Sequence, residues 1–500
     1  MSSHVLTERN APRRPTVLWP VVTLPLSAVV VWAVNTGGEA LRWLGIGALA
    51  WSLAIPMLIS LEAGLLAMML FEPLRGFLRR VQYLFLPYAQ SDPIHLVTPL
   101  ITLMACIMLL HRRRLRIFCE TPLAKLVSIL GLIYFLQIFN PLQGGLSVGL
   151  SGALFILVPV AWFYFGHAVK PEFLRTALRL MVIVGLITSL YGLYHLAYGF
   201  PSFEQYWLDN TDAYESIRVG KIKRALATFS SAEEWGRYIE MGAIIAFGFG
   251  ASAANYLRRA GWFLCGVALT VMVLFTGQRT AIFGLILGTI VLLALGARSW
   301  RGIVGRLMLV LAPVLLIGIL ANAPTSDDLQ SHGEEERFGT VLSHSTKGAL
   351  NPTQEDSLQE RINIWTHLVT EIVPSNPLGM GLGATSLAVN RLDKGAALPP
   401  VDSYFISSVV TCGLPAALLF MAILLRANFT SWRAFRNASP GSAQAQVWRV
   451  VAALMPMLIL NSLFGNTFTL YSVAPAAWLL VGWISAQELR NVEADASAQT

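Results

Sequence analysis

Three charged residues, Arg224, Arg279 and Asp402, stand at the edges of long apolar runs, and a fourth, Arg361, flanks the apolar stripe of an amphipathic segment. A charge in that position is costly unless it meets a cavity, a partner or the membrane interface. Guanidinium forks stay charged and bind in pairs of hydrogen bonds, which suits a pyrophosphate. A carboxylate at the membrane surface beside such a cluster can serve as a general base. Each residue also has a plainer reading. Arg361 can snorkel over a membrane surface. Asp402, which follows Pro399 and Pro400, can cap a helix N-terminus. Arg279, in "FTGQRTAIFG", separates two apolar runs. Arg218, Lys221, Lys223 and Arg224 cluster just before another. Either an anionic partner or headgroup phosphates would account for that cluster.

Local signals say how these residues are positioned. In "DSLQERINIWTHLVTEIVPSNPLGMGLG", Ser357 and Glu360 form a capping box. An amphipathic helix is expected over 357–373, with Leu358, Ile362, Trp365, Val369 and Ile372 as its apolar stripe. Pro374 and Pro377 stop it. Gly379, Gly381 and Gly383 then allow close approach of a ligand or another backbone. Arg361 flanks the stripe. Trp365 and Gly381 join Arg218, Lys221, Lys223 and Arg224 as candidate substrate-binding residues. Ser231 with Glu234, or Ser230 with Glu233, reads as a capping box. Glu240 lies deeper in an apolar run, with Arg237 on the same face as its partner. "NPLQGG" at 140–145 echoes "NPLGMG" at 376–381, which reads as ordinary turn chemistry.

Composition sets the class. The chain has 500 residues, 55% hydrophobic and 13% charged, with a mean hydropathy of +0.60. A soluble protein carries about twice that charge density. Apolar runs suited to spanning helices occur near 17–35, 41–58, 60–74, 93–110, 121–140, 146–166, 175–198, 235–255, 260–276, 279–297, 303–322, 402–426, 446–466 and 469–487. That gives about 12–14 spans, with 60–74 short for a bilayer. The first run lacks a small-residue cleavage site and reads as an anchor.

The net charge of +8 is not a nucleic-acid signature, because most basic residues follow the positive-inside pattern. Alternating crossings then place both termini in the cytoplasm. A loop at about 199–234 and an insert at 323–401 face outward, between a block over 1–322 and C-terminal spans over 402–488. A polar cytoplasmic tail occupies 489–500. Arg75, Arg79 and Arg80 fall on the outer side, against the rule; either 60–74 does not cross or they meet headgroups. Cys106, Cys119, Cys265 and Cys412 lack metal or redox spacing. His195, His332, His344 and His367 share no ligand spacing, so no metal site is expected. No nucleotide motif occurs.

Several segments, in order, resemble the O-antigen ligase and polymerase superfamily, the Wzy-type integral membrane glycosyltransferases. "LYGLYHLAYGF" leads into the outer loop. "RALATFSSAEEWGRYIEMG", "TGQRTA", "ERINIWTHLVTEIVPSNPLGMGLG" and "VDSYFISSVVTCGLPAALLF" resemble the family's arginine-bearing and ligase segments. The resemblance covers roughly residues 120–485. It implies an all-α membrane fold of the GT-C-like glycosyltransferase class with a large periplasmic helical loop, in the bacterial inner membrane. It implies transfer of a glycan from undecaprenyl pyrophosphate at the outer face, without metal or other cofactor. Arg224, Arg279 and Arg361 would stabilise the leaving pyrophosphate. Asp402 stands where the ligases have histidine. That departure, and "FEPLRGFLRRVQYLFLPY" near the N-terminus, resemble exopolysaccharide polymerases more than ligases. A chain-length regulator (co-polymerase) and a flippase are the partners such a role implies, besides membrane lipid; no nucleic acid is implied. A ligase and a protein O-oligosaccharyltransferase are the alternatives within the superfamily, and a flippase is the alternative outside it.

Overall fold

A computed structural model describes residues 38–89, 92–113, 117–211, 218–219, 222–296, 356–385, 398, 401–439 and 441–499. The expected spans 17–35 and 303–322, and most of the insert, lie outside the described residues.

The chain runs through α1 (Gly38–Ile59), α2 (Leu61–Val81), α3 (Val97–Arg113), α4 (Pro122–Gln137), α5 (Leu146–Ala168) and α6 (Pro171–Tyr198). A short α7 (Ser202–Asn210) and a two-residue antiparallel ribbon, β1 (Arg218–Val219) with β2 (Ile222–Lys223), form the loop that follows. Then come α8 (Ala232–Ser252), α9 (Tyr256–Phe275), α10 (Arg279–Gly296) and α11 (Asp356–His367). The chain closes with α12 (Tyr404–Cys412), α13 (Leu414–Asn437), α14 (Ala443–Phe464) and α15 (Ala474–Gln499). Among the described residues, eight helices are long and apolar enough to cross a bilayer, and α4 is apolar but shorter. The protein is an all-α integral membrane protein.

Faces of these helices divide as a lipid-embedded bundle requires. Leu100, Leu103 and Ile107 on α3, and Ile183, Ile187 and Leu190 on α6, recur three or four residues apart and are exposed. Such stripes are lipid-facing surface in a bundle whose interior is packed. Inside, α15 packs along α5, and α8 packs against α9, α10 and α14. Trp162, Trp235, Trp448, Trp478 and Trp483 are fully buried there.

Two expectations change. The run 402–426 is not one span. It breaks at Gly413 (φ +85°) into the nine-residue α12 and the longer α13. A helix end buried in a bundle leaves carbonyls that water cannot reach. Here Val410 O and Thr411 O accept from the Met380 and Gly381 N–H groups at 2.9 and 3.0 Å. The turn after α11 therefore caps α12.

Arg75, Arg79 and Arg80 are buried in protein, and α2, which carries them, is not among the eight helices apolar enough to cross. Helix α2 runs for 21 residues. Arg80 donates to Glu204 Oε1 on α7 at 2.8 Å and to the Phe229 and Ala227 carbonyls. Arg79 pairs with Asp92 at 3.4 Å and Arg75 with Glu72 at 3.5 Å. Compensated in this way, Arg80 ties α7 and the Ala227–Phe229 stretch to α2.

Candidate active site

Four separate segments meet beside the N-terminal end of α12. Arg361 lies on the first turns of α11, and Nη2 of its guanidinium meets Asp402 Oδ2 at 2.8 Å. Asp402 precedes α12. The cap of that helix is its neighbour: Ser403 accepts the Ile406 N–H. Asp402 is thus not the N-cap that its position after two prolines suggests. Ser403 takes that role, and the Asp402 carboxylate is left to face Arg361.

Arg224 comes from the extended stretch between β2 and α8. Its Nε is enclosed by protein and has no hydrogen-bond partner among the described residues. Burial and then the charge of Arg361 pull its pKa below the ordinary guanidinium range, while Glu233 and Asp402 act the other way. Arg279 opens α10 within the electrostatic reach of both Arg361 and Arg224. The three arginines expected to converge lie within electrostatic reach of one another. With Asp402 and Glu233 they make a site of three cations and two carboxylates. Like charges held together are costly unless an anion offsets them, so the geometry favours an anionic guest.

Around this centre the structure sorts the remaining candidates. Trp365 is half-buried, its ring 6.4 Å from that of Phe464 at the end of α14. Lys223 pairs with Asp209 of α7 at 3.0 Å, which ties the ribbon to that helix. Only the backbone of Arg218 is described, paired with Lys223 in the ribbon. Lys221 lies outside the described residues. Gly381 has φ +108°, and a Cβ there would come within 2.6 Å of Gln143 Oε1. Its backbone is approached by protein, as one of the two sequence readings had it.

The two Asn-Pro-Leu segments also meet. They dock on one another: Asn140 Nδ2 donates to Gly379 O at 3.0 Å, and the Gly383 N–H to Gln143 Oε1 at 2.9 Å. The apolar face of α11 is rotated from the expected stripe. Leu368 is buried, and Ile364, Trp365 and Ile372 pack with Val401 and Val410, whereas Ile362 and Val369 are 44% exposed. A π-helical turn over Leu368–Ile372 adds a residue and shifts the phase, and the helix ends at Ser375 just past Pro374. Arg361 sits one turn before Ile364 and Trp365, on the inward face.

Helix α8 begins beneath the arginines. Ser231 caps it by accepting the Glu234 N–H at 3.1 Å, while Glu234 accepts the Ser230 and Ser472 N–H groups. Glu233 does not join that box. Its Oε1 lies 3.9 Å from Arg237 Nη2 and accepts the Asn466 N–H at 3.4 Å. Arg237 pairs with Glu240 at 3.7 Å, as expected, and also donates to Asn461 and, at 2.6 Å, to Thr280 Oγ1 beside Arg279. Asn461 and Asn466 were not singled out in the sequence, and Glu233 only as a member of a capping box. A carboxylate one residue before a capping glutamate offers no signal of its own.

A multi-pass helical membrane protein with a basic, carboxylate-bearing site at one end of its bundle is the class these observations define. Residues 264–421 match the family model described as O-Antigen ligase. That segment contains Arg279, Arg361 and Asp402, and the match supports the resemblance to the O-antigen ligase and polymerase superfamily. No curated protein matches the chain.

Proposed function

We propose that this protein polymerises oligosaccharide repeat units carried on undecaprenyl pyrophosphate, at the outer face of the bacterial inner membrane. The observation that carries the reading is the convergence of Arg224, Arg279 and Arg361 around the Arg361–Asp402 pair. The donor pyrophosphate binds the arginines and draws Arg361 from Asp402. The freed carboxylate takes the proton of the acceptor hydroxyl, whose oxygen attacks the anomeric carbon. The bond from that carbon to the pyrophosphate oxygen breaks, and its charge settles among guanidiniums already in place. The leaving group is activated from the start, so this route calls for no metal.

The second reading is ligation of the glycan to a lipid or protein acceptor. The match to the O-Antigen ligase family favours it, and an aspartate in place of the family's histidine favours the polymerase. Purified protein in proteoliposomes, given only lipid-linked repeat unit, decides between them. A ladder of lengthened lipid-linked glycan supports polymerisation. Consumption of donor only when lipid A core or an acceptor protein is added supports ligation. Donor consumed in neither case, with the protein folded, overturns both.

A further inference from the structure

We propose that Asn466, in the turn after α14, is a positioning residue that holds the proton-accepting carboxylate in register with the arginine cluster. The proposal rests on the reaction given above. Asn466 touches the two halves of the site at once. Its side-chain Nδ2 donates to Val401 O at 2.7 Å, one residue before Asp402. Its backbone N–H donates to Glu233 Oε1 at 3.4 Å, the carboxylate that opposes Arg361 in its effect on Arg224.

The neighbouring residue completes the frame. Gly465 O accepts the Tyr404 N–H at 3.0 Å, two residues after Asp402. A Cβ on Gly465 would fall 2.3 Å from Arg237 Nη2 and 3.0 Å from Glu233 Oε1. Only glycine lets the turn lie this close to both side chains. Val401–Tyr404 is therefore clamped on either side of Asp402 by one two-residue turn. That turn rests on the Glu233–Arg237 pair, and Arg237 reaches Thr280 beside Arg279. Asn466 does not face the reacting atoms in this arrangement. It acts by fixing where Asp402 stands.

The test compares native protein with Asn466→Ala, Asn466→Asp and Asn466→Gln, alone and combined with Asp402→Asn, in proteoliposomes with lipid-linked repeat unit. Aspartate keeps the shape but has no N–H to donate to Val401 O; glutamine keeps the donor. Misplacement of a reacting group by about 1 Å costs up to about 10²-fold. The expected result is a tenfold to hundredfold fall in kcat for the Ala and Asp variants, with KM for the donor within about twofold and partial rescue by Gln. In the Asp402→Asn background the Asn466 substitutions should add almost nothing, since residues acting as a unit are not additive. Full kcat in Asn466→Asp overturns the proposal, as does a loss that simply multiplies with that of Asp402→Asn. Native protein that turns over no donor would instead overturn the reaction on which the proposal rests.

Discussion

Replacing Asp402 by asparagine separates chemistry from architecture at a position where the two are easily confused. If the aspartate capped α12, asparagine would cap about as well and the change would be silent. The structure gives the cap to Ser403, so architecture predicts little effect from either residue. The Arg361–Asp402 pair adds little stability, since its partners are 43% and 47% exposed; pairs of that kind contribute about 0–1 kcal/mol. An asparagine oxygen can still accept from Arg361. The unfolding midpoint should hardly move.

The rate should fall by about 10²–10⁴, the usual contribution of a positioned base. That is about 3–5 kcal/mol of barrier, several times the stability term. Asp402→His should keep partial activity, and its rate should rise with pH through about 6.5, because only neutral imidazole can take the proton. The assay is initial-rate polymerisation by purified protein, read beside thermal unfolding of the same preparations. Near-native rates in the Asn variant would refute the assignment of Asp402 as base.

Arg361→Ala should lower kcat by about 10²–10³, the cost of removing one preorganised charge donor, with Lys a poor substitute because it lacks the fork; polymer yield per inserted protein measures this. Gly381→Ala should destabilise by at least about 1–2 kcal/mol, since its φ is +108° and Gln143 occupies the space; a lower unfolding midpoint would show it. Glu204→Gln should cost about 3–5 kcal/mol by leaving buried Arg80 uncompensated, seen as poor accumulation in membranes. Burial opposes the charge of Glu204, yet the His195 hydrogen bond and Arg80 outweigh it and hold its pKa below the usual 4.5. Its contribution is therefore complete above about pH 4.5 and lost as pH falls through the lower folded value. The native midpoint should drop below that pH, and that of the Gln variant should drop less.

Much of this architecture was legible because a bilayer leaves few options. Long apolar runs became helices, with bounds within a few residues of those expected for α1, for α3 to α6 and for α8 to α10. The arginines converged because a guanidinium at the edge of such a run has few places to go. What escaped depended on contacts between distant segments. The break at Gly413 had a local sign, glycine followed at one remove by proline, but a continuous apolar run outweighed it. The caps that make the break tolerable come from Met380 and Gly381. Choosing between Asp402 and Ser403 as cap required knowing where Arg361 lay. The phase of α11 turned on a π-helical turn that no periodic template contains. The docking of 140–145 against 376–383 looked like chance because turn residues carry no record of what they touch.

The central claim is that the arginine cluster and Asp402 together transfer a glycan from a lipid pyrophosphate. It is tested most directly by counting free undecaprenyl pyrophosphate released per glycosidic bond formed, in proteoliposomes with lipid-linked repeat unit. One molecule per bond is expected from native protein, with both products falling together by at least about 10² in Arg361→Ala and in Asp402→Asn. Polymer formed at native rate by either variant, or bonds formed without release of the lipid pyrophosphate, would contradict it.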